Sequence, residues 1–341
     1  MRYIEIDKVS SGMVLAKTIY DENGRILLGH RSVLTDEFIE KLKKRGLPGV
    51  YVEDELTKDI EIQETITAEL RNRGVDALRR RNIDETMRVA HKIVEQILDS
   101  AVVSLDMIDL RTFDDYTYRH SVNVAVLSTV IGMNMNLNKT YINELAASAI
   151  LHDIGKIFID PKILNKPGAL TDEEYNEVKK HPIIGYDMLK KRVDISARIR
   201  SGILSHHENE DGSGYPNQLK YNQIFQYAKI IHVADVFDAL TSKRPYKEAH
   251  SRAEAVEYLM ASGGTLFDID IVRKFLESVA VYPVGTTVTL STGEEAVVVH
   301  NSDHILRPRV RLMSGREIDL ANPKKYRNIT IVNKEEKEHN L

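Results

Sequence analysis

The sequence predicts a mainly α protein, with a helical bundle in the middle, a small α+β module before it and a small antiparallel β subdomain after it. Two observations predict this. The hydrophobic period is strand-like at both ends of the chain and helical between them, and 341 residues suffice for about two domains with a sizeable core.

Residues 1–62 hold short alternating runs, YIEID, GMVLAKTIY, RILL and GVYVED, punctuated by Asn23-Gly24 and Gly46. Between them Thr35-Asp36-Glu37-Phe38-Ile39 opens a short helix with Thr35 as its N-cap. No ligand-like cluster stands in this module, so it reads as a structural or regulatory appendage. Residues 63–92 read as a helical linker into a central domain over 93–281. Ile83, Met87, Ala90, Val94, Ile97 and Ala101 recur at three- and four-residue steps, an amphipathic stripe that packs a core or a second subunit, so a homodimer is one expected assembly. Further helices are expected over Thr140 to Leu151, after Thr171-Asp172-Glu173-Glu174 as a capping box, and over Ile224 to Leu240. Over 282–341 the runs TTVTL, EEAVVVH, PRVRL, EIDL and NITIV, separated by Gly293, Asp303 and Ser314-Gly315, predict a small antiparallel sheet or partial barrel. The charged tail NKEEKEHNL is expected to fray.

Composition narrows the function. The formal net charge of −4 argues against a nucleic-acid polymer as the partner. With no cysteine, disulfides and thiolate ligands are excluded, and a transition-metal site must use imidazole and carboxylate. The N-terminus lacks the apolar core of a signal peptide. The most apolar stretch, Val122 to Met135, is broken by Asn123, Ser128, Thr129 and Asn134. No membrane insertion and a cytoplasmic location are therefore expected.

Of 12 histidines, His120, His152, His181, His206 and His207 fall in the helical middle, with Asp153 directly after His152 and Asp235 in HVADVFDAL. Taken singly, His120 reads as a helix-surface residue, His181-Pro182 as a helix-ending pair and Asp235 as a capped or paired core acid. Asp153 does not fit so bland a role: it follows the apolar run AASAIL, where burying a charge costs several kcal/mol unless it is paired or metal-bound. Neighbours in a helix diverge by about 100°, so His152 and Asp153 cannot both face one distant atom, but a carboxylate can bridge two cations while its neighbour serves one. The adjacent His206 and His207 likewise suit a site with more than one metal, or a helix end. Such a donor set favours Fe, Mn, Zn, Co or Ni over Mg or Ca. Two metals about 3.5–4 Å apart are a standard device for in-line phosphoryl displacement by a metal-held water, with basic groups nearby to hold phosphate oxygens. Lys156, Arg244 and Lys247 could supply them, although Arg244 and Lys247 could equally form a solvated basic turn.

HDIGK at 152–156, His181-Pro182, HHENEDGSGYP at 206–216 and ADVFDALTSKRPYK at 234–247 together resemble the HD-GYP domain of the HD superfamily. The resemblance covers about residues 93–281 and implies a helical HD-type bundle. It also implies a phosphodiesterase that hydrolyses cyclic di-GMP to pGpG or on to GMP. It places metal ligands at His120, His152, Asp153, His181, His206, His207 and Asp235, with Asp153 bridging two divalent ions, Fe or Mn expected. Asp153 and Lys156 are then the catalytic pair. Lys156, Arg244 and Lys247 are expected to grip ligand phosphates, and Tyr215 of Gly214-Tyr215-Pro216 to contact the ligand. Asp211 and Gly212 would shape the loop by turn chemistry, and Glu208 could orient an imidazole. Members with three metals carry a Glu one turn before the first ligand histidine. Tyr116 stands there, with Asp114 and Asp115 on another angular track, so two metals are expected. The competing readings are a non-hydrolysing cyclic dinucleotide sensor and an HD-type phosphohydrolase for another cyclic dinucleotide.

Overall fold

A computed structural model describes residues 1–21, 25–60, 62, 64–100, 116–242, 250–302 and 304–332. Asn23-Gly24, Ala101, Asp114, Asp115, the Tyr116 side chain, Arg244, Lys247, Asp303 and the tail 333–341 lie outside the described residues.

The described residues fall into two compact units, and the first joins both ends of the chain, residues 1–64 with 279–332. In its N-terminal part β1 (Arg2–Glu5) pairs antiparallel with β4 (Gly49–Val52), and β2 (Ile19–Tyr20) with β3 (Ile26–Leu28). Helix α1 (Asp36–Lys44) starts where expected, with the Thr35 hydroxyl accepting the Phe38 N–H. Leu15, Leu34, Ile39, Leu42, Val50 and Val52 close its core. In the C-terminal part β5 (Thr287–Leu290), β6 (Glu295–His300), β7 (Arg309–Leu312), β8 (Glu317–Asp319) and β9 (Ile331–Val332) form one antiparallel sheet in the order β8-β7-β6-β5-β9. The Tyr3 N–H donates to the Gly285 carbonyl at 2.8 Å, and the Arg311 guanidinium grips both oxygens of Asp59 at 2.7 Å. These bonds tie the two parts together.

The second unit carries the helices and bears out the mainly α expectation. It contains α2 (Ala68–Arg79), α3 (Ile83–Asp99), α4 (Tyr116–Asn134), α5 (Lys139–Leu151), α6 (Pro161–Leu164), α7 (Asp172–Val178), α8 (His181–Leu189), α9 (Ala197–Ser205), α10 (Gln226–Thr241), α11 (Arg252–Ala261) and α12 (Ile269–Leu276). The residues 63–92 read as a linker contribute α2 and the start of α3 to this unit. The α3 stripe is used within the chain: Ile83, Ala90, Val94 and Ile97 are buried, and α3 packs on α2 and α5. Helix α4 is buried on nearly every side from His120 to Gly132, against α5, α10 and α2. Its apolar sequence therefore belongs to a central core helix, with the Thr129 hydroxyl satisfied by the Ala125 carbonyl at 2.7 Å. Among the described residues no helix is long and apolar enough to cross a membrane. Around this centre α5, α9 and α10 pack on one another, and their ends meet on the metal-ligating residue types.

Candidate metal centre

The local folds explain how adjacent residues converge. Helix α5 stops at Leu151, leaving His152 as its C-cap and Asp153 at the head of a 3-10 turn over Ile154–Phe158. The angular divergence of a continuous helix therefore does not apply to the pair. Gly155 sits so close to the next element that a Cβ there would lie 2.0 Å from the His181 carbonyl oxygen. Only glycine lets the turn press against the start of α8. His181 and Pro182 open α8 and do not end a helix, because proline's missing N–H is harmless in a first turn. His206 caps the end of α9, and His207 follows after the helix has stopped.

Three of these histidines share one device. His152 Nδ1 lies 2.6 Å from the Ala149 carbonyl, His181 Nδ1 2.7 Å from that of Val178, and His206 Nδ1 2.7 Å from that of Ile203. Each carbonyl can only accept, so each Nδ1 carries the proton and each Nε2 presents a lone pair to the cluster. His120 is buried, not on the helix surface; its Nδ1 faces Asp238 Oδ2 at 2.7 Å and its Nε2 faces Asp235 Oδ1 at 2.8 Å.

All seven metal ligands expected from the sequence come together. Asp153, His181, His206 and His207 form one group, and His120, His152 and Asp235 a second; within each, the donor atoms lie within 4.8 Å of one another. Asp153 stands between the groups. Its Oδ1 is 3.2 Å from His181 Nε2, and its Oδ2 is 3.4 Å from His152 Nε2.

A divalent metal fits this donor set on two observations. His152 Nε2 and Asp153 Oδ1 are buried without a hydrogen-bond partner, an arrangement that costs several kcal/mol unless a cation fills it. The Nε2 atoms of His181 and His206 face each other at 3.2 Å, yet with both Nδ1 atoms protonated neither Nε2 has a proton to share. The electrostatics agree. Burial pushes His206 and His207 well below the usual imidazole range. For Asp153, burial opposes ionisation, but the His152 imidazole, the Lys156 ammonium and the His181 imidazole, all facing its oxygens, hold its carboxyl well below the carboxylate range. Burial also works against charge on His120, and the hydrogen bonds to Asp235 and Asp238 outweigh it, raising that imidazole to about 9. Neutral His181, His206 and His207 beside an ionised Asp153 are the protonation states that metal ligation requires, whereas on His120 a metal must displace a proton.

The remaining predicted residues surround the cluster. Lys156 reaches Asp153 Oδ2 at 2.6 Å. Tyr215 stacks on His207, ring centres 4.7 Å apart and 26° from parallel. The loop that carries it needs Gly214, where a Cβ would lie 2.4 Å from the His207 carbonyl oxygen. Asp211 shapes the turn as expected, accepting the Ser213 N–H at 2.8 Å, and Gly212 takes a φ of 84°. Glu208 does not orient an imidazole. It is buried, and its carboxylate accepts the Asn217 N–H at 2.6 Å and the Leu219 N–H at 2.9 Å, strapping down the loop. The acid that does hold an imidazole is Asp238, which the sequence reading missed. Its signal was present: Asp238 lies three residues after Asp235, on the same helix face.

A family model described as HD domain matches residues 94–271, more than half of the chain. The chain is similar to a cyclic di-GMP phosphodiesterase of Pseudomonas aeruginosa, 41% identical over 209 residues that cover 61% of this chain and 50% of the relative. A 3'3'-cGAMP-specific phosphodiesterase of Vibrio cholerae is 33% identical over 49% of this chain and 38% of its own length. Among solved structures, the HDG"Y"P protein of Bdellovibrio bacteriovorus has a similar fold, with a TM-score of 0.51 at 18% identity over 80% of this chain and 97% of that one. The chain belongs to the HD domain family and, by the motifs seated around its histidine cluster, to the HD-GYP branch of it. It spans about half the length of the curated relatives it matches.

Proposed function

We propose that the protein is a metal-dependent phosphodiesterase that hydrolyses cyclic di-GMP to pGpG, GMP or both. The observation that carries this reading is Asp153, whose two oxygens face two separate groups of buried donors. Two divalent ions, Fe or Mn, would be held by His120, His152 and Asp235 on one side and His181, His206 and His207 on the other, with Asp153 shared between them. When bound, such a pair activates a water for in-line attack on phosphorus and offsets charge on the phosphate oxygens. The chain's own residues do the rest. Lys156, one bond away from Asp153, holds a phosphate oxygen and keeps the shared carboxylate in register. Tyr215, braced flat on His207, offers a face for a guanine base. Arg244 and Lys247 are assigned to the other phosphate on the sequence resemblance. Residues 93–281 would then form the phosphodiesterase domain, with the N-terminal module as a regulatory appendage.

A second reading, another cyclic dinucleotide as substrate, is supported by the similarity to the cGAMP-specific enzyme of Vibrio cholerae. One experiment separates them. Protein purified without oxygen is analysed for metal, then given cyclic di-GMP and 3'3'-cGAMP in parallel, and the products are separated by chromatography. Linear products from cyclic di-GMP, lost with chelator and in Asp153→Ala, are expected. Faster turnover of 3'3'-cGAMP would favour the second reading, and binding of cyclic di-GMP without cleavage by metal-loaded protein would make the protein a sensor.

A further inference from the structure

The two donor groups differ in what stands behind their imidazoles. His152, His181 and His206 each donate Nδ1–H to a neutral backbone carbonyl. His120 alone among them donates to a carboxylate, that of Asp238, which is buried on α10. Asp238 is itself held: Asn123, one turn after His120 on α4, donates from Nδ2 to Oδ1 at 2.9 Å, and the Ser242 hydroxyl lies 3.3 Å from Oδ2.

We propose that Asp238 is a positioning residue for the His120, His152 and Asp235 group: it fixes His120 with its proton on Nδ1 and makes that group the tighter of the two for a divalent ion. The proposal rests on the two-ion reading above. Two physical effects carry it. A carboxylate behind an imidazole raises the basicity of the opposite nitrogen more than a carbonyl does, and such partners are typically worth about 10- to 100-fold in metal affinity. The second effect is tautomeric. Asn123 presents an N–H to Asp238, so in Asp238→Asn, with Asn123 held in its present orientation, the new amide turns its oxygen toward Asn123 to avoid two donors meeting. Its NH2 then faces His120 Nδ1, which can only accept, and the ring proton moves to Nε2, the nitrogen that faces Asp235. The ligand atom is blocked with no change in side-chain size. The other group has no link to this pair through Nδ1 and should be untouched.

The chemistry also predicts its own rescue. Exchanging the two residues, Asn123→Asp with Asp238→Asn, lets the new carboxylate accept the amide NH2, which frees the amide oxygen to accept the His120 Nδ1 proton again. The test uses full-length, metal-stripped protein, with Mn2+ alone as the probe. Calorimetry counts the ions and their affinities, and nitrogen NMR of the imidazoles, recorded above pH 9 where the His120 ring is neutral, reads its tautomer. Wild type is expected to take up two ions with unequal affinity. Asp238→Asn should weaken one class by about 10- to 100-fold, leave the other unchanged and show His120 protonated at Nε2. The exchanged pair should restore the Nδ1 tautomer and most of the affinity, which a loss of folding could not do. An unchanged tautomer in Asp238→Asn, or equal weakening of both classes, overturns the inference. A wild-type protein that binds one ion only overturns the two-ion reading instead, and the tautomer then decides the role of Asp238 by itself.

Discussion

A single methyl group at Gly155 would meet the His181 carbonyl oxygen at 2.0 Å and the Gly185 nitrogen at 2.7 Å, both backbone atoms that cannot swing aside. Gly155→Ala must therefore push the start of α8 away from the Asp153 turn. Overpacking of this kind costs about 1–3 kcal/mol, and here it also carries His181 away from Asp153. The variant should unfold at lower denaturant and bind metal more weakly, with the loss greater than stability alone explains. A Gly155→Ala protein with wild-type metal affinity would show that the turn and α8 can separate without harm. The residue scale is also where the sequence was most legible. Five imidazoles and two carboxylates with no cysteine to share the work identify themselves by type and order. Partners that are chemically ordinary do not. Asp238 looks like any core acid until its distance to His120 is known.

At the scale of elements, the helices were readable because their apolar period is strong, and the capping box at Thr171 forms as its sequence predicts. Element ends were less readable. The pair His181-Pro182 follows the end of α7 by only two residues, and only tertiary packing on Gly155 decides that it begins a helix. The loop after His207 shows the same limit. Its turn residues were plain, but the strap from Glu208 to Asn217 and Leu219 spans nine to eleven residues and leaves no local signature. That strap makes a prediction. In Glu208→Gln one end of the side chain becomes a donor and must face a backbone N–H, leaving a buried donor unsatisfied at a cost of about 1–3 kcal/mol. Tyr215 should lose its fixed stack on His207. The KM for cyclic di-GMP should rise by about tenfold, the equivalent of 1.4 kcal/mol, while metal content stays at the wild-type value. A fall in metal content with KM unchanged would assign Glu208 to the cluster and not to the loop.

At the scale of the whole molecule, the joining of both chain ends in one unit was hidden, since the Tyr3 bond to Gly285 links residues far apart in sequence and no local period reports such pairing. The helical unit, in contrast, has a property that its buried histidines impose on the entire fold. In metal-free protein His181, His206, His207 and His232 are all lowered from the usual imidazole value of 6.5, burial being the first cause for each. Below 6.5 the unfolded chain takes up protons on these four rings that the folded chain refuses, so stability falls as the pH drops from 6.5 toward their folded values. His120 works in the opposite sense. Raised to about 9, it contributes stability that is fully present below 6.5 and lost as the pH rises through 9. Metal-free protein should therefore be most stable near neutral pH, and its thermal midpoint should fall on acidification from pH 7 to 5. Bound divalent ions counter this by occupying the lone pairs that protons would take, and they stabilise the fold further in proportion to the logarithm of their excess over Kd. Adding Mn2+ should raise the midpoint most at pH 7 and progressively less toward pH 5, as protons compete for the same nitrogens. Thermal melts of stripped and reloaded protein across this range check the argument. A midpoint indifferent to metal at pH 7, or a metal-free protein that grows more stable on acidification, would mean that the histidine cluster is not coupled to the fold in this way.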